Sequence, residues 1–272
     1  MEKIPEPSSK GKKRQRDQED SESQTQSIDL DQTLSLEESL TFSDTLVALR
    51  IMRAQFPRIE KVSVQPFILR SQLYSSVEDR TQVDRELESL RRDKIVRIFK
   101  LNTGQDDHAI MFLDDYLNQI ERVVKRLEEK KQGDLEVFKW FRTHVIDSKL
   151  EPSIGHQELH TLLSLGGKVM DGHISLLINA GLLTRQLIDP NMYWFIIPNV
   201  GSVLKGLSQG RKEVLSLLNR KRYKEMMLAS MEKKRLRFSP LDMRFHLRDL
   251  IGSGHLKTVQ TSTGLVVRVA KD

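Results

Sequence analysis

EDRTQVDRELESLRRDKIVRIFKLNTGQDDHAIMFL, Glu78 to Leu113, changes its apolar period halfway along. In the first half Val83, Leu87 and Leu90 recur at helical spacing among charged residues. From Lys94 on, KIVRIFKL and HAIMFL are two short apolar runs joined by NTGQDD, whose Asn, Gly and Asp suit a hairpin loop. Upstream, Leu46, Leu49, Ile51, Met52 and Phe56 form a helical stripe that Pro57 ends, and VQPFILRSQLYS, Val64 to Ser75, offers a second, shorter helix. Three helices followed by a two-stranded hairpin is the plan of a winged helix, a variant of helix-turn-helix.

The plan recurs along the chain. Aligning the stops of the third helices on Asp93, Gly181 and Gly254 places Leu90, Ile178 and Ile251 three residues before, and Ile95, Leu183 and Leu256 two residues after as the first core residue of a strand. LLTRQLI and MYWFIIP flank DPN as a second hairpin; LKTVQT and GLVVRV flank Ser262 to Gly264 as a third. The expected fold is α+β and mainly helical: three tandem winged helices at 41–131, 132–199 and 200–272, preceded by a disordered tail, 1–40, rich in Glu, Ser, Gln, Asp and Lys.

Composition narrows the chemistry. The 272 residues contain no cysteine, which excludes disulfides, thiolate metal sites and a cysteine nucleophile. No apolar run is long enough for a membrane span, and no cofactor is expected. The net charge of +6 is concentrated: residues 201–237 hold eleven Lys or Arg against three Glu, which is +8, so the rest of the chain sums to −2. Such a bias suits a polyanion partner. In the tail, KGKKRQR supplies Lys10, Lys12, Lys13, Arg14 and Arg16 as a nuclear import run.

Three stretches imitate catalytic or ligand motifs. His246-Leu-Arg-Asp249-Leu resembles a kinase catalytic loop, but Gly254 stands where an Asn is required, and no glycine-rich phosphate loop exists. It reads as a helix with Met243, Leu247, Leu250 and Ile251 inward and Arg248 and Asp249 outward. His156 and His160 lie one turn apart, but Glu158 is misplaced for a zincin, so both belong on an outer helix face. Trp140 and Trp194 sit in apolar runs that suit core packing.

The basic segment remains. Lys205, Arg211, Lys212, Arg220, Lys221, Arg222, Lys224, Lys233, Lys234, Arg235 and Arg237 are expected for the most part to face water, where they neutralise phosphates. Only Arg244 and Arg248, on the last helix, are placed to read bases, so mostly phosphate contact with duplex and weak sequence preference follow. Duplex is favoured because no aromatic platform for single strands is visible. The alternative is a protein-only scaffold whose basic face docks an acidic partner.

PFILRSQLYSSVEDRTQVDRELESLRRDKIVRIFKL, LLINAGLLT, GRKEVLSLLNRKRYKEMMLASM and FHLRDLIG closely resemble the serine/threonine-protein kinase 19 family, the winged-helix repair factors, from about Phe42 to the end. The resemblance implies a nuclear, non-enzymatic protein of three winged helices that binds double-stranded DNA. It further implies a role in transcription-coupled nucleotide excision repair beside RNA polymerase II, bridging the Cockayne syndrome A protein and the helicase-bearing TFIIH. It also implies pairing as a homodimer, and DNA contacts at Lys205, Arg222, Lys234 and Arg235. Asn219 replaces an Arg of the family pattern, with Arg220 and Lys221 following.

Overall fold

The computed structural model describes residues 43–59, 62–104, 107–130 and 134–270; the expected tail, 1–40, with its run Lys10 to Arg16, lies outside them. The first set of elements is α1 (Asp44–Ala54), β1 (Ile68–Leu69), α2 (Arg70–Tyr74), α3 (Arg80–Arg92), β2 (Val96–Lys100) and β3 (His108–Phe112). Helix α4 (Leu113–Glu129) then leads to α5 (Glu136–Trp140), which runs on as a π-helical turn over Phe141–Ile146. After it come β4 (Ser153–Gly155), α6 (His156–Ser164), α7 (Asp171–Asn179), β5 (Leu183–Arg185) and β6 (Met192–Phe195). The last set is α8 (Gly201–Asn219), β7 (Glu225–Met227), α9 (Leu228–Glu232), α10 (Met243–Gly252), β8 (Leu256–Thr261) and β9 (Gly264–Val269). Each set closes an antiparallel three-stranded sheet with its last strand in the middle, ordered β1-β3-β2, β4-β6-β5 and β7-β9-β8.

The repeat is sharper in the structure than in the sequence, and one residue out of step in its first copy. The residues that end the third helices in left-handed backbone are Lys94 (φ 56), Gly181 (φ 76) and Gly254 (φ 83), so Lys94, not Asp93, aligns with the glycines. The next amides close the turn: Ile95 N–H donates to the Leu90 carbonyl at 2.9 Å and Leu182 N–H to that of Leu177 at 3.0 Å. In this register Leu90, Leu177 and Leu250 are equivalent, as are Leu87, Ile174 and Leu247, and all six are buried. Val96, Leu183 and Leu256 begin the strands and are buried, whereas Ile95, expected there, is 39% exposed.

The sets are not separate beads. One apolar cluster holds Leu49, Leu87 and Ile98, and another Val214, Leu247 and Val267. The largest joins all three sets, from Leu69 and Phe99 through Tyr116, Phe141 and Phe195 to Val203, Leu207 and Phe245. Strand β2 is therefore buried on both faces, which is why KIVRIFKL shows no polar alternation. Even Arg97 is buried there, its guanidinium 4.2 Å from the Phe195 ring centroid and donating to the Lys149 carbonyl at 2.8 Å.

Helix α10 docks on α2 of the first set. Gly252 makes the crossing possible, because a Cβ there would lie 1.6 Å from the Ser71 carbonyl oxygen. Gln72 spans the contact, accepting from Leu69 N–H at 2.9 Å and donating to the Phe245 carbonyl at 3.1 Å. Phe245 meets Phe56 and Phe67 edge-on, each at 6.0 Å between ring centroids. Among the described residues, no helix is long and apolar enough to cross a membrane.

Candidate nucleic-acid interface

Helix α8 builds the basic surface from its own period. Lys205, Gln209, Lys212, Ser216 and Arg220 recur every three or four residues, so they share one face, and none of them is buried. The opposite face, Val203, Leu207, Val214 and Leu218, is core. At 1.5 Å per residue the stripe from Lys205 to Arg220 runs about 22 Å, the rise of six or seven base pairs.

A second segment lies beside it because of an acidic residue. The Glu213 carboxylate accepts from the backbone amides of Arg237, at 3.0 and 3.1 Å, and of Phe238, at 3.2 Å. That clamp holds the loop after α9 along α8, and Lys212, Arg220, Lys234, Arg235 and Arg237 then line one open groove of about 790 Å³. The other two glutamates of the segment are also engaged, Glu225 by Arg268 at 2.7 Å and Glu232 by Arg244 at 3.7 Å. Lys221, Arg222 and Lys224 are exposed in the turn between α8 and β7, and Lys233 is exposed at the end of α9. Lys205 lies at the other end of the stripe, beside a separate cavity.

Arg211 is a correction. It is mostly turned from water: it bridges two carboxylates, donating from Nη1 to Asp107 at 2.6 Å and from Nε to Asp249 at 2.6 Å, with Nη2 reaching both at 3.2 and 3.0 Å. Burial alone pushes its pKa down, but these carboxylates outweigh that and raise it. Asp107, on the first hairpin, is likewise pushed up by burial and pulled further down by Arg211, which leaves it below the ordinary carboxylate value. The bridge locks the first hairpin to α8 and α10.

Asp249 is the second correction. Expected to point outward, it is fully buried, bonded to Arg211 and accepting from the Ser71 hydroxyl at 2.6 Å. Every part of the kinase-like stretch thus has a packing or bridging role, since His246 and Leu247 are buried too. Of the two expected base readers, Arg248 is committed. Arg248 donates to the Gln55 side chain at 2.6 Å, and α10 lies against α2, so the third helix of the last set is not free to enter a groove. Arg244 alone on that helix is exposed.

His246 has a consequence for stability. Its Nε2 lies 2.8 Å from the Ser239 hydroxyl. Burial first, and the Arg211 charge second, hold its pKa at about 4, against the opposing pull of Asp242 and Glu213. The folded chain therefore keeps a neutral imidazole, while the unfolded chain protonates at the ordinary value near 6.5. Stability is complete above that value and falls as pH drops through the window between the two. A loss of roughly 2 kcal/mol is expected by about pH 5. Urea unfolding at about pH 7 and about pH 5 measures it; in His246→Gln the difference shrinks, and an unchanged difference would assign the pH response to other groups.

Other motifs resolve as follows. His156 Nδ1 pairs with the Tyr193 hydroxyl at 2.9 Å and His160 is exposed, and among the described residues no group of His, Asp and Glu could hold a metal ion. Trp140 is half-buried, stacked over the backbone at Gly166 and Gly167. Trp194 departs from the expected core role: Tyr193 and Phe195 point into the core, and Trp194 points the other way, half-exposed beside Lys100. Lys100 was not legible as part of this surface, because β2 reaches α8 only through the tertiary fold.

Comparison with known proteins adds the lineage. A family model described as inactive serine-threonine protein kinase 19 matches residues 33–269. Winged helix repair factor 1 of Homo sapiens is 30% identical over 219 residues, covering 79% of this chain and 81% of that protein. The Xenopus laevis protein of that name is 30% identical over 229 residues, with 82% and 83% covered. The one from Dictyostelium discoideum is 27% identical over 272 residues, with 88% and 68% covered.

Proposed function

The chain belongs to the inactive serine-threonine protein kinase 19 family, and from that premise we propose that it is a non-enzymatic adaptor that binds double-stranded DNA in transcription-coupled nucleotide excision repair. Its relatives are named as repair factors, which supports the repair setting and, with it, a nuclear location. In this reading each of the three sets of elements is one winged helix, at 41–131, 132–199 and 200–272. The Cockayne syndrome A protein, the TFIIH helicase and RNA polymerase II are proposed as partners, together with a second copy of the chain, and Lys10 to Arg16 as the import run.

The observation that carries DNA binding is the unneutralised stripe of Lys205, Lys212 and Arg220 on α8 running into the groove of Lys234, Arg235 and Arg237. Glu225 and Glu232 are paired with Arg268 and Arg244, and the one carboxylate left in the groove, Glu213, faces five cations there, so the surface keeps a net positive field. Phosphates suit it because the cations stand on an exposed face, and because helix α10 is largely buried against its neighbours. Two duplexes of unrelated sequence should bind with affinities within about threefold of each other, measured in the same buffer. A hundredfold preference for one of them would require a base-reading element and contradict the proposed mode.

A further inference from the structure

The first hairpin, the second hairpin and the start of α8 enclose a cavity of about 690 Å³. Lys100, Asn102 and Thr103 line one side, Trp194 another, and Lys205 and Ser208 a third. Lys205 and Ser208 stand one turn before Gln209 and Lys212, which line the basic groove, so the cavity opens onto the same face of α8. We infer that this cavity takes an unpaired nucleotide where a duplex ends or forks, its base against Trp194 and its phosphates beside Lys100 and Lys205. The inference rests on the proposed reading of the α8 stripe as a duplex track.

Three features carry it. The size lies within the range of about 300–1,000 Å³ typical of small-molecule sites and holds one nucleotide with its sugar. The charge selects an anion, because lysines line the cavity and, among the described residues, no carboxylate does. The aromatic is held firmly in place: Trp194 lies in the central strand of its sheet, paired with Ser153 on one side and Thr184 on the other. A strand position that points away from the core most often carries a polar residue; here it carries the largest aromatic, over a cationic hollow.

The Trp194 ring is occupied at present by the Lys100 ammonium, 5.2 Å from its centroid. Such an exposed cation–π contact is weak, because water competes for the ammonium. Stacking of a base covers the whole ring face and is the stronger contact. An entering base therefore gains more than it displaces, and the freed ammonium turns to the phosphate that arrives with it. A base inside continuous duplex cannot make this exchange, because both its faces are stacked on its neighbours. The cavity thus distinguishes a frayed or forked end from continuous duplex, where the stripe alone would not.

The experiment compares the full chain on a blunt duplex and on the same duplex with a short unpaired thymidine tail on each strand at one end. The forked form should bind about tenfold more tightly. Trp194→Ala should remove that preference while binding the blunt duplex as the wild type does, which also reports that the variant is folded. Trp194→Phe, which keeps a stacking face, should retain most of it. Equal binding of both forms by the wild type overturns the inference and leaves the duplex reading intact, and so does a preference that survives in Trp194→Ala. Failure to bind either duplex removes the track, and the inference with it.

Discussion

Reversing charge at Lys205, Arg222, Lys234 and Arg235 together lowers duplex affinity by at least about a thousandfold at moderate salt, with the unfolding midpoint moved by only about a few degrees. All four side chains are exposed, and among the described residues the one partner of note is the Tyr223 ring beside Arg222. Exposed substitutions of this kind change stability by about 0.5 kcal/mol or less each, and removing like-charge repulsion offsets part of that. Their effect on phosphate contact is of another order, since each reversal deletes a counterion-releasing contact and adds repulsion. Affinity measured by fluorescence anisotropy, beside a thermal melt, separates the two. An unaltered affinity would move the binding surface elsewhere on the molecule.

Arg211→Met has the opposite signature: a loss of about 3–5 kcal/mol in folding stability, with little change in the duplex affinity of the chain that remains folded. The substitution leaves Asp249 fully buried with only the Ser71 hydroxyl, and leaves Asp107 with the Thr103 hydroxyl but no cation. Removing one member of a buried pair is costly because the survivor keeps a charge it cannot hydrate. The double variant Arg211→Met with Asp249→Leu should recover much of the loss, which a denaturant double-mutant cycle reads directly. If Arg211→Met instead weakened duplex binding and left stability alone, the original water-facing reading of Arg211 would be restored.

The contrast between those two variants shows where the sequence speaks and where it does not. The order of helices and hairpins is legible because period and turn chemistry are local: Val83, Leu87 and Leu90 define a helix face by themselves. The short strands β1, β4 and β7 are not, since two or three residues carry no period. The misalignment at Asp93 has a simple cause, in that Lys94 adopts the left-handed backbone that glycine adopts in the other two copies. Exposure on α8 was readable for Lys205, Lys212 and Arg220 from spacing alone. Arg211 was not, because Asp249 lies 38 and Asp107 104 residues away in the chain. For the same reason α10 looked like a free third helix until its docking on α2 was visible. The import run of the tail lies outside the described residues and stays an expectation.

The central claim is that exposed cations of residues 205–237, Lys205, Lys212, Arg220, Arg222, Lys234, Arg235 and Arg237 among them, form one track that neutralises about six phosphates. The most direct measurement is the affinity of the full chain for a random-sequence duplex, titrated from about 50 to about 200 mM salt. Six neutralised phosphates give a log–log slope near −5, and affinity falls by about a thousandfold across that range. A slope near zero, or no binding even at the lowest salt, would contradict the claim and assign the basic face to an acidic protein partner.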